Sequence, residues 1–331
     1  MQLPPPLTEV LAQMVADCDQ KLLAQAAARL SAKYRLPPAV AARFINSEIE
    51  RLAYAATRMP ATYAAARQVL GELCRLLPDV APQSLLDLGA GTGAALWAAG
   101  AVFPTLRQAT LLERDAALSQ LGRQLAAAAE QAVIRRADWR SVNLEQVVDL
   151  PRSDLIVCSY SLGELPVAAA RRVVQLAWQA AQQILVVIEP GTMRGFATIK
   201  VLRDELIEAE AHVVAPCPHA QICPLPEADW CHFAARVERS ALQRQLKAGT
   251  LGYEDEKFAY IAVAKQPACA VPARVLRHPL RQPGYTRLQL CAVEGLQQLT
   301  VTKRDKAAWK RARKTKWGDV WEQSCDERTE E

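Results

Sequence analysis

Apolar residues recur at helical spacing through LTEVLAQMVADCDQKLLAQAAARL, and alanine, the strongest helix former, is abundant around them. Pro37-Pro38 should end that helix. A second helical block, AVAARFINSEIERLAYAATRMPATYAAARQVLGELCRLL, follows. Met59-Pro60 should kink or break it, because proline lacks the N–H donor and its ring crowds the preceding turn. Residues 1–80 are therefore predicted to be a helical region.

From Ser84 the texture changes. SLLDL, QATLLE, AVIRR, DLIVCS and QILVVIE are strand-length runs rich in Leu, Ile and Val, separated by helical stretches such as DAALSQLGRQLAAAAE and VAAARRVVQLAWQAAQ. Strand and helix alternating this way predict an α/β fold with a doubly wound, largely parallel sheet. KFAYIAVAK should close that sheet. Beyond Pro267 come a proline-punctuated linker, two further strand candidates (YTRLQLCAV and LQQLTVTK) and a basic tail. No internal repeat or low-complexity tract is evident.

Composition alters this picture in three ways. The length of 331 residues suggests two domains, or one with sizeable additions, and 51% apolar content is that of an ordinary globular chain. No run approaches the ~18 uninterrupted apolar residues of a membrane span. Nine cysteines in a chain without a recognisable secretory signal point to a reducing compartment, where they serve packing, metal binding or catalysis. The early acids Glu9, Asp17 and Asp19 argue against a transit peptide, so a cytoplasmic location is expected. Lastly, KRDKAAWKRARKTK (303–316) holds eight bases and one acid, with Trp309 inside it and Trp317 just beyond. A charge run is ordinarily a solvated helix face. Interleaved tryptophans favour a surface that meets phosphate and stacks on bases.

LLDLGAGTGAA (85–95) sets Gly89, Gly91 and Gly93 between a strand and a helix, where the backbone turns tightly and lets a ligand approach. Asp87 at the mouth of the loop would repel a pyrophosphate but suits the ammonium of S-adenosylmethionine. Glu113, at the end of the second strand, lies where an acid accepts ribose hydroxyls. Asp138, read as following a third strand AVIRR, is placed to meet the adenine amino group. Together these features resemble the class I (Rossmann-like) methyltransferase pattern. No transfer chemistry is assigned. The segment CSYSLGELP stands where amino-group methyltransferases of nucleic acid carry an Asn/Asp-Pro-Pro-Tyr/Phe motif. Cys158 has the chemistry of a pyrimidine-activating nucleophile, yet it ends an apolar strand with no preceding proline, so a buried structural thiol is expected. Tyr160 and Glu164 lie near any substrate without an evident role.

The run APCPHAQICPLPEADWCHF (215–233) is chemically denser. Cys217, Cys223 and Cys231 do not match the C-x-x-C spacing of common zinc ribbons, and Cys-Pro pairs recur at iron–sulfur sites, where proline stiffens the loop. Three thiols leave a four-iron cluster one ligand short. Cys269, in the linker, and Cys291, in a C-terminal strand candidate, are both available. With His219 or His232, a Cys3His zinc site is the alternative.

The stretches YAATRMPATYAA, LLDLGAGTGAALWAA, VVIEPGTMRGF, APCPHAQICPL, WCHFAARVER and YEDEKFAYIAVAK together resemble the methyltransferase-like family associated with the small ribosomal subunit in bacteria and mitochondria. The resemblance implies a class I methyltransferase sheet over 81–265 with the cysteine-rich insertion at 215–233, after the helical region 1–80 and before a basic β extension over 266–331. It implies an S-adenosylmethionine-type fold, a four-iron, four-sulfur cluster on Cys217, Cys223, Cys231 and Cys291, and a role in assembling the small ribosomal subunit through its rRNA. Members are not uniformly credited with catalysis, in keeping with the missing motif. The alternatives are an active rRNA methyltransferase and a zinc-stabilised methyltransferase of another substrate. The targeting segment of mitochondrial members is not recognisable in this chain, so a bacterial-type protein, acting as a monomer, is expected.

Overall fold

The computed structural model describes residues 1–33, 45–247, 249–269 and 271–322. The N-terminal region is helical: α1 (Pro5–Ala16), α2 (Gln20–Lys33), α3 (Glu48–Thr57) and α4 (Met59–Leu76). The single long helix expected before Pro37 is divided into α1 and α2. Asp19 accepts hydrogen bonds from the amides of Lys21 and Leu22 and so restarts the chain as an N-cap. The Pro37-Pro38 stop lies outside the described residues. At Met59-Pro60 the expected break is present: α3 ends at Thr57, and Pro60 sits in the first turn of α4, where its missing N–H leaves nothing unpaired.

The central sheet contains β1 (Ser84–Leu88), β2 (Gln108–Glu113), β3 (Asp138–Ser141), β4 (Ser153–Ser159), β5 (Ala181–Pro190), β6 (His212–Ala215), β7 (Phe233–Glu238) and β8 (Tyr253–Ala264). Its order is β3-β2-β1-β4-β5-β8-β6, with β7 also on β8. The first five strands run parallel, and β8 is antiparallel to β5, β6 and β7. This is a class I methyltransferase sheet. Helices α5 (Ala94–Val102), α6 (Ala116–Ala127), α7 (Ala132–Arg135), α8 (Val167–Ala180) and α9 (Met193–Glu208) connect the strands. The short helix α10 (Ala241–Leu246) precedes β8. Helices α4, α5 and α6 cover one face of the sheet, and α8 and α9 the other. In β5, Ile184, Leu185, Val186, Val187 and Ile188 are all buried, which explains why that stretch is an unbroken apolar run rather than an alternating one.

The run AVIRR, expected as the third strand, is instead α7, and the strand itself is DWRS. A three-residue apolar run does not reveal its period, and here Trp139 supplies the buried strand residue.

One detail of register frames the cysteine insertion. Ala215 in β6 pairs with Ala262, and Phe233 in β7 pairs with Phe258 on the same edge of β8. Strands β6 and β7 are thus one interrupted edge strand, and residues 216–232 are an excursion from it.

Residues beyond 270 build a second, antiparallel sheet from β9 (Ala273–Val275), β10 (Leu280–Arg281), β11 (Tyr285–Ala292) and β12 (Gly295–Thr302). The basic helix α11 (Lys306–Lys314) closes it, burying Ala308 and Ala312 against Leu288, Leu290 and Val301. The tail then returns to β9 through Val275 N–H to Asp319 O and Trp321 N–H to Ala273 O. Among the described residues no helix is long and apolar enough to cross a membrane.

Candidate functional site

At the carboxyl ends of the parallel strands lies a cavity of about 840 Å³, lined by the glycine loop, Asp87, Glu113, Tyr160 and Glu164, with Tyr54 and Thr62 from the N-terminal helices. The three loop glycines adopt φ of +73°, +55° and +84°, a region costly for residues bearing a Cβ. At Gly89 space also forbids one: a Cβ there would fall 2.4 Å from that of Ser161. The loop is thereby wedged against the turn after β4.

Asp87 is 1% exposed, and neither carboxylate oxygen has a hydrogen-bond partner among the described residues. Burial, reinforced by the charge of Glu113, pushes its pKa up to about 8. Glu113 accepts from the amides of Gly91 and Asp115, each at 2.9 Å, and so ties the loop to β2. Glu164 is raised to about 7, chiefly by burial, with Arg114 opposing. Beneath it Glu189, also raised to about 7 by burial, accepts from the Gly163 amide. Tyr160 has φ of +59°, and its hydroxyl donates to Glu256, which is paired with Arg58. This is a pocket with one orphaned, deeply buried acid and more acids around it, suited to a cationic ligand bearing hydroxyl and amino groups.

Asp138 takes no part. Because the strand is DWRS, Asp138 stands at its first residue, exposed and paired with Arg140 at 2.7 Å. The cavity is reached instead by Val142 and Asn143 beyond the strand's other end. Sequence reading missed Asn143 because it placed the strand six residues early. Cys158 is fully buried in β4, and burial holds its thiol protonated well above its ordinary range, as a structural cysteine should be.

The second site lies on the excursion between β6 and β7. Cys217, Cys223, Cys231 and Cys291 line one small cavity of about 40 Å³, the last reaching it from β11. Burial raises the pKa values of Cys217, Cys231 and Cys291, the last to about 12, and neighbouring thiols add to each shift. His219 also lines the cavity, its Nε2 3.6 Å from the Cys291 sulfur. His232 does not; it stacks on Trp230 and meets the edge of Trp317. Cys269 is exposed and outside the cavity, its amide directed to Leu76 O.

Two buried arginines complete this site, and neither was anticipated. Arg203 of α9 is 3% exposed, donates to the carbonyls of His219 and Gln221, pairs with Asp204 at 2.8 Å, and lies against Cys217. Arg274 of β9 is 1% exposed and donates to Pro216 O, Gly318 O and Glu72. Buried guanidiniums demand negative partners. Four thiols and two such cations fit a thiolate-bound, net-negative metal group in kind. The space is small, about three water volumes by the measure that gives one water ~10–15 Å³. Among the described residues no group of three or more His, Cys, Asp or Glu side chains forms a ready site for a metal ion. The donors are collected but not preassembled.

Comparison with known proteins follows from this geometry. The chain resembles the magnesium protoporphyrin IX methyltransferase of Synechocystis with bound SAH at a TM-score of 0.42 and 11% identity, covering 71% of this chain and 94% of that one. It is 28% identical over 289 residues to the human protein named ribosome assembly protein METTL17, mitochondrial, covering 81% of this chain. It is 24% identical over 325 residues to Rsm22-cox11 tandem protein 2, mitochondrial, of Schizosaccharomyces pombe, covering 82% of this chain. The chain spans 62% and 43% of these relatives' own lengths. Their mitochondrial names overturn the cytoplasmic expectation and point to an organelle. The sequence profile described as mitochondrial small ribosomal subunit Rsm22 matches residues 48–322, most of the chain. The protein belongs to that family.

Proposed function

We propose that this protein is an assembly factor of the small ribosomal subunit that contacts its rRNA, with a methyltransferase-type cavity for S-adenosylmethionine and a four-iron, four-sulfur cluster as a structural fastener. The observation that carries this reading is the meeting of Cys291, from the C-terminal sheet, with Cys217, Cys223 and Cys231 in one cavity flanked by Arg203 and Arg274. A cluster bound by four thiolates is net negative in its usual oxidation states and would add to the counter-charge that Asp204 and Glu72 give the two guanidiniums, each of which also keeps one buried N–H without an acceptor among the described residues. Bound there, it would supply a cross-link rather than a reaction. The family relationship supports the ribosomal role. Protein purified anaerobically is expected to contain iron and acid-labile sulfide in equal amounts and to absorb broadly in the visible. Stoichiometric zinc without sulfide would instead select the zinc reading.

In the other cavity, Asp87, Glu113 and the glycine loop would hold S-adenosylmethionine, whose chemistry there would be methyl donation. Asp87 would answer the ammonium and must ionise to do so. With a pKa of about 8 it is protonated in the ligand-free protein at neutral pH. Binding a cation then releases a proton, so affinity should rise about fivefold from pH 7 to 8 and level off above. Below pH 7, Glu164 adds to the slope. The ligand-free fold should show the opposite trend. An acid whose pKa is raised by folding contributes less stability as pH climbs through that range. Calorimetric titration with S-adenosylmethionine in buffers of different ionisation enthalpy reads the released proton directly. Affinity independent of pH between 6 and 8 would remove Asp87 from this role.

A further inference from the structure

A third cavity shares no lining residue with the glycine-loop pocket. It is a cleft of about 770 Å³ between α4, strands β7 and β8, and the segment that follows α11. Five cationic side chains besides Arg274 line it. Arg75 is matched by Glu72, and Arg236 by Asp255. Arg311, Lys314 and Lys316 make no ion pair among the described residues. The acids Asp319 and Glu322 share the rim, and Asp319 is engaged by the Lys316 amide. Deeper in, Arg311 Nε and Trp317 Nε1 are buried without an acceptor among the described residues. A buried N–H left unpaired is costly, so two in one cleft mark a missing acceptor.

The character of that acceptor follows from the donors. All are N–H groups, most on cations, and none can accept, so the ligand is acceptor-rich and anionic. The cationic surface does not stop at the cleft. Lys306, Lys310 and Arg313 carry it along α11, where the Arg313 guanidinium lies 5.7 Å from the centre of the Trp309 ring. A single small anion needs one nest of donors, whereas a polyanion uses a track with aromatic surface beside it.

We infer that the cleft between α4 and the post-α11 segment seats backbone phosphates of single-stranded RNA, with Arg311, Lys314 and Lys316 as the contacting groups. This rests on the proposed rRNA contact and locates it. It also explains the position of Arg274, which bonds Glu72 on one wall, Gly318 O on the other and Pro216 O in the cysteine segment. The walls of the cleft are thereby set by the same side chain that braces the cysteine cavity.

The test uses the full chain and a fluorescein-labelled single-stranded RNA oligonucleotide, read by anisotropy at several salt concentrations. R311Q with K314Q should weaken binding about tenfold and flatten the salt dependence by about one phosphate contact per charge removed. K303Q with R304Q removes the same charge from the same basic stretch, outside both the cleft and the α11 track, and should cost less than about threefold. Equal losses from both pairs, with wild-type binding intact, would overturn the cleft while leaving the RNA reading standing. Wild-type protein that binds no RNA would overturn both. A polyglutamate peptide of matched charge that binds the cleft as tightly as RNA would reassign it to an acidic protein partner. S-adenosylmethionine affinity, measured in parallel, should be unchanged in both pairs and shows that each variant is folded.

Discussion

Arg274→Met is expected to destabilise the C-terminal sheet by about 3–5 kcal/mol, the range seen when one member of a buried charge network is removed. Arg274 is 1% exposed and serves three separate segments: Glu72 of α4 at 2.7 Å, Gly318 O at 2.9 Å and Pro216 O at 3.0 Å. Methionine fills much of the volume but donates nothing, so both carbonyls lose a donor in a dry environment. Glu72 keeps Arg75 as a partner and is partly exposed, so it contributes the smaller share. Glu72→Gln, which retains an acceptor for Arg274, should therefore cost only about 1 kcal/mol. Urea unfolding followed by tryptophan fluorescence reports on it in part, because three of the seven tryptophans, Trp309, Trp317 and Trp321, belong to the extension that Arg274 anchors. An Arg274→Met unfolding free energy within about 1 kcal/mol of wild type, at unchanged slope, would show that packing alone joins the extension to the sheet.

The importance of Arg274 could not be read from the chain. In sequence it sits in PARVL like any surface arginine, and nothing local signals that its guanidinium crosses to α4 and the tail. Arg203, on one face of α9, is equally silent. Strands β1 and β2 were legible to the residue because each is a strand-length, leucine-bearing run set between helical stretches. The third strand was not: AVIRR carries more apolar residues than DWRS, and the shift took Asp138 to the wrong end of the sheet. The glycine loop with Asp87 and Glu113 was found because its chemistry depends on residues close in sequence. Cys217, Cys223 and Cys231 announced themselves by spacing and proline. Cys291 did not; only family resemblance tied it to them, because the pairing depends on how two sheets meet. The splitting of one edge strand into β6 and β7 was likewise invisible, since it exists only as a register on β8.

Cys291→Ser should produce a larger functional loss than Arg274→Met, and Cys223→Ser should match it. If the four thiols hold one cluster, metal-binding energy is also the energy that keeps the C-terminal sheet on the central one. Cys291 is the one donor of the four contributed from beyond the linker, so its loss severs the cross-link while leaving both sheets intact. Iron and sulfide content should fall together. Cleavage by protease between residues 265 and 300 should accelerate at least about tenfold, equivalent to roughly 1.4 kcal/mol in the opening of that segment. RNA affinity should drop with it, because the cleft wall carrying Arg311 and Lys314 belongs to the sheet that has been released. Cys269→Ser supplies the control: it lies on the linker itself but outside the cavity, and should change none of these quantities. A Cys291→Ser protein with wild-type iron content would mean that the fourth ligand lies elsewhere. One that loses its iron yet resists protease as wild type does would mean that the two sheets hold together through Arg274 and its neighbours alone, with the cluster a passenger in a cavity formed without it.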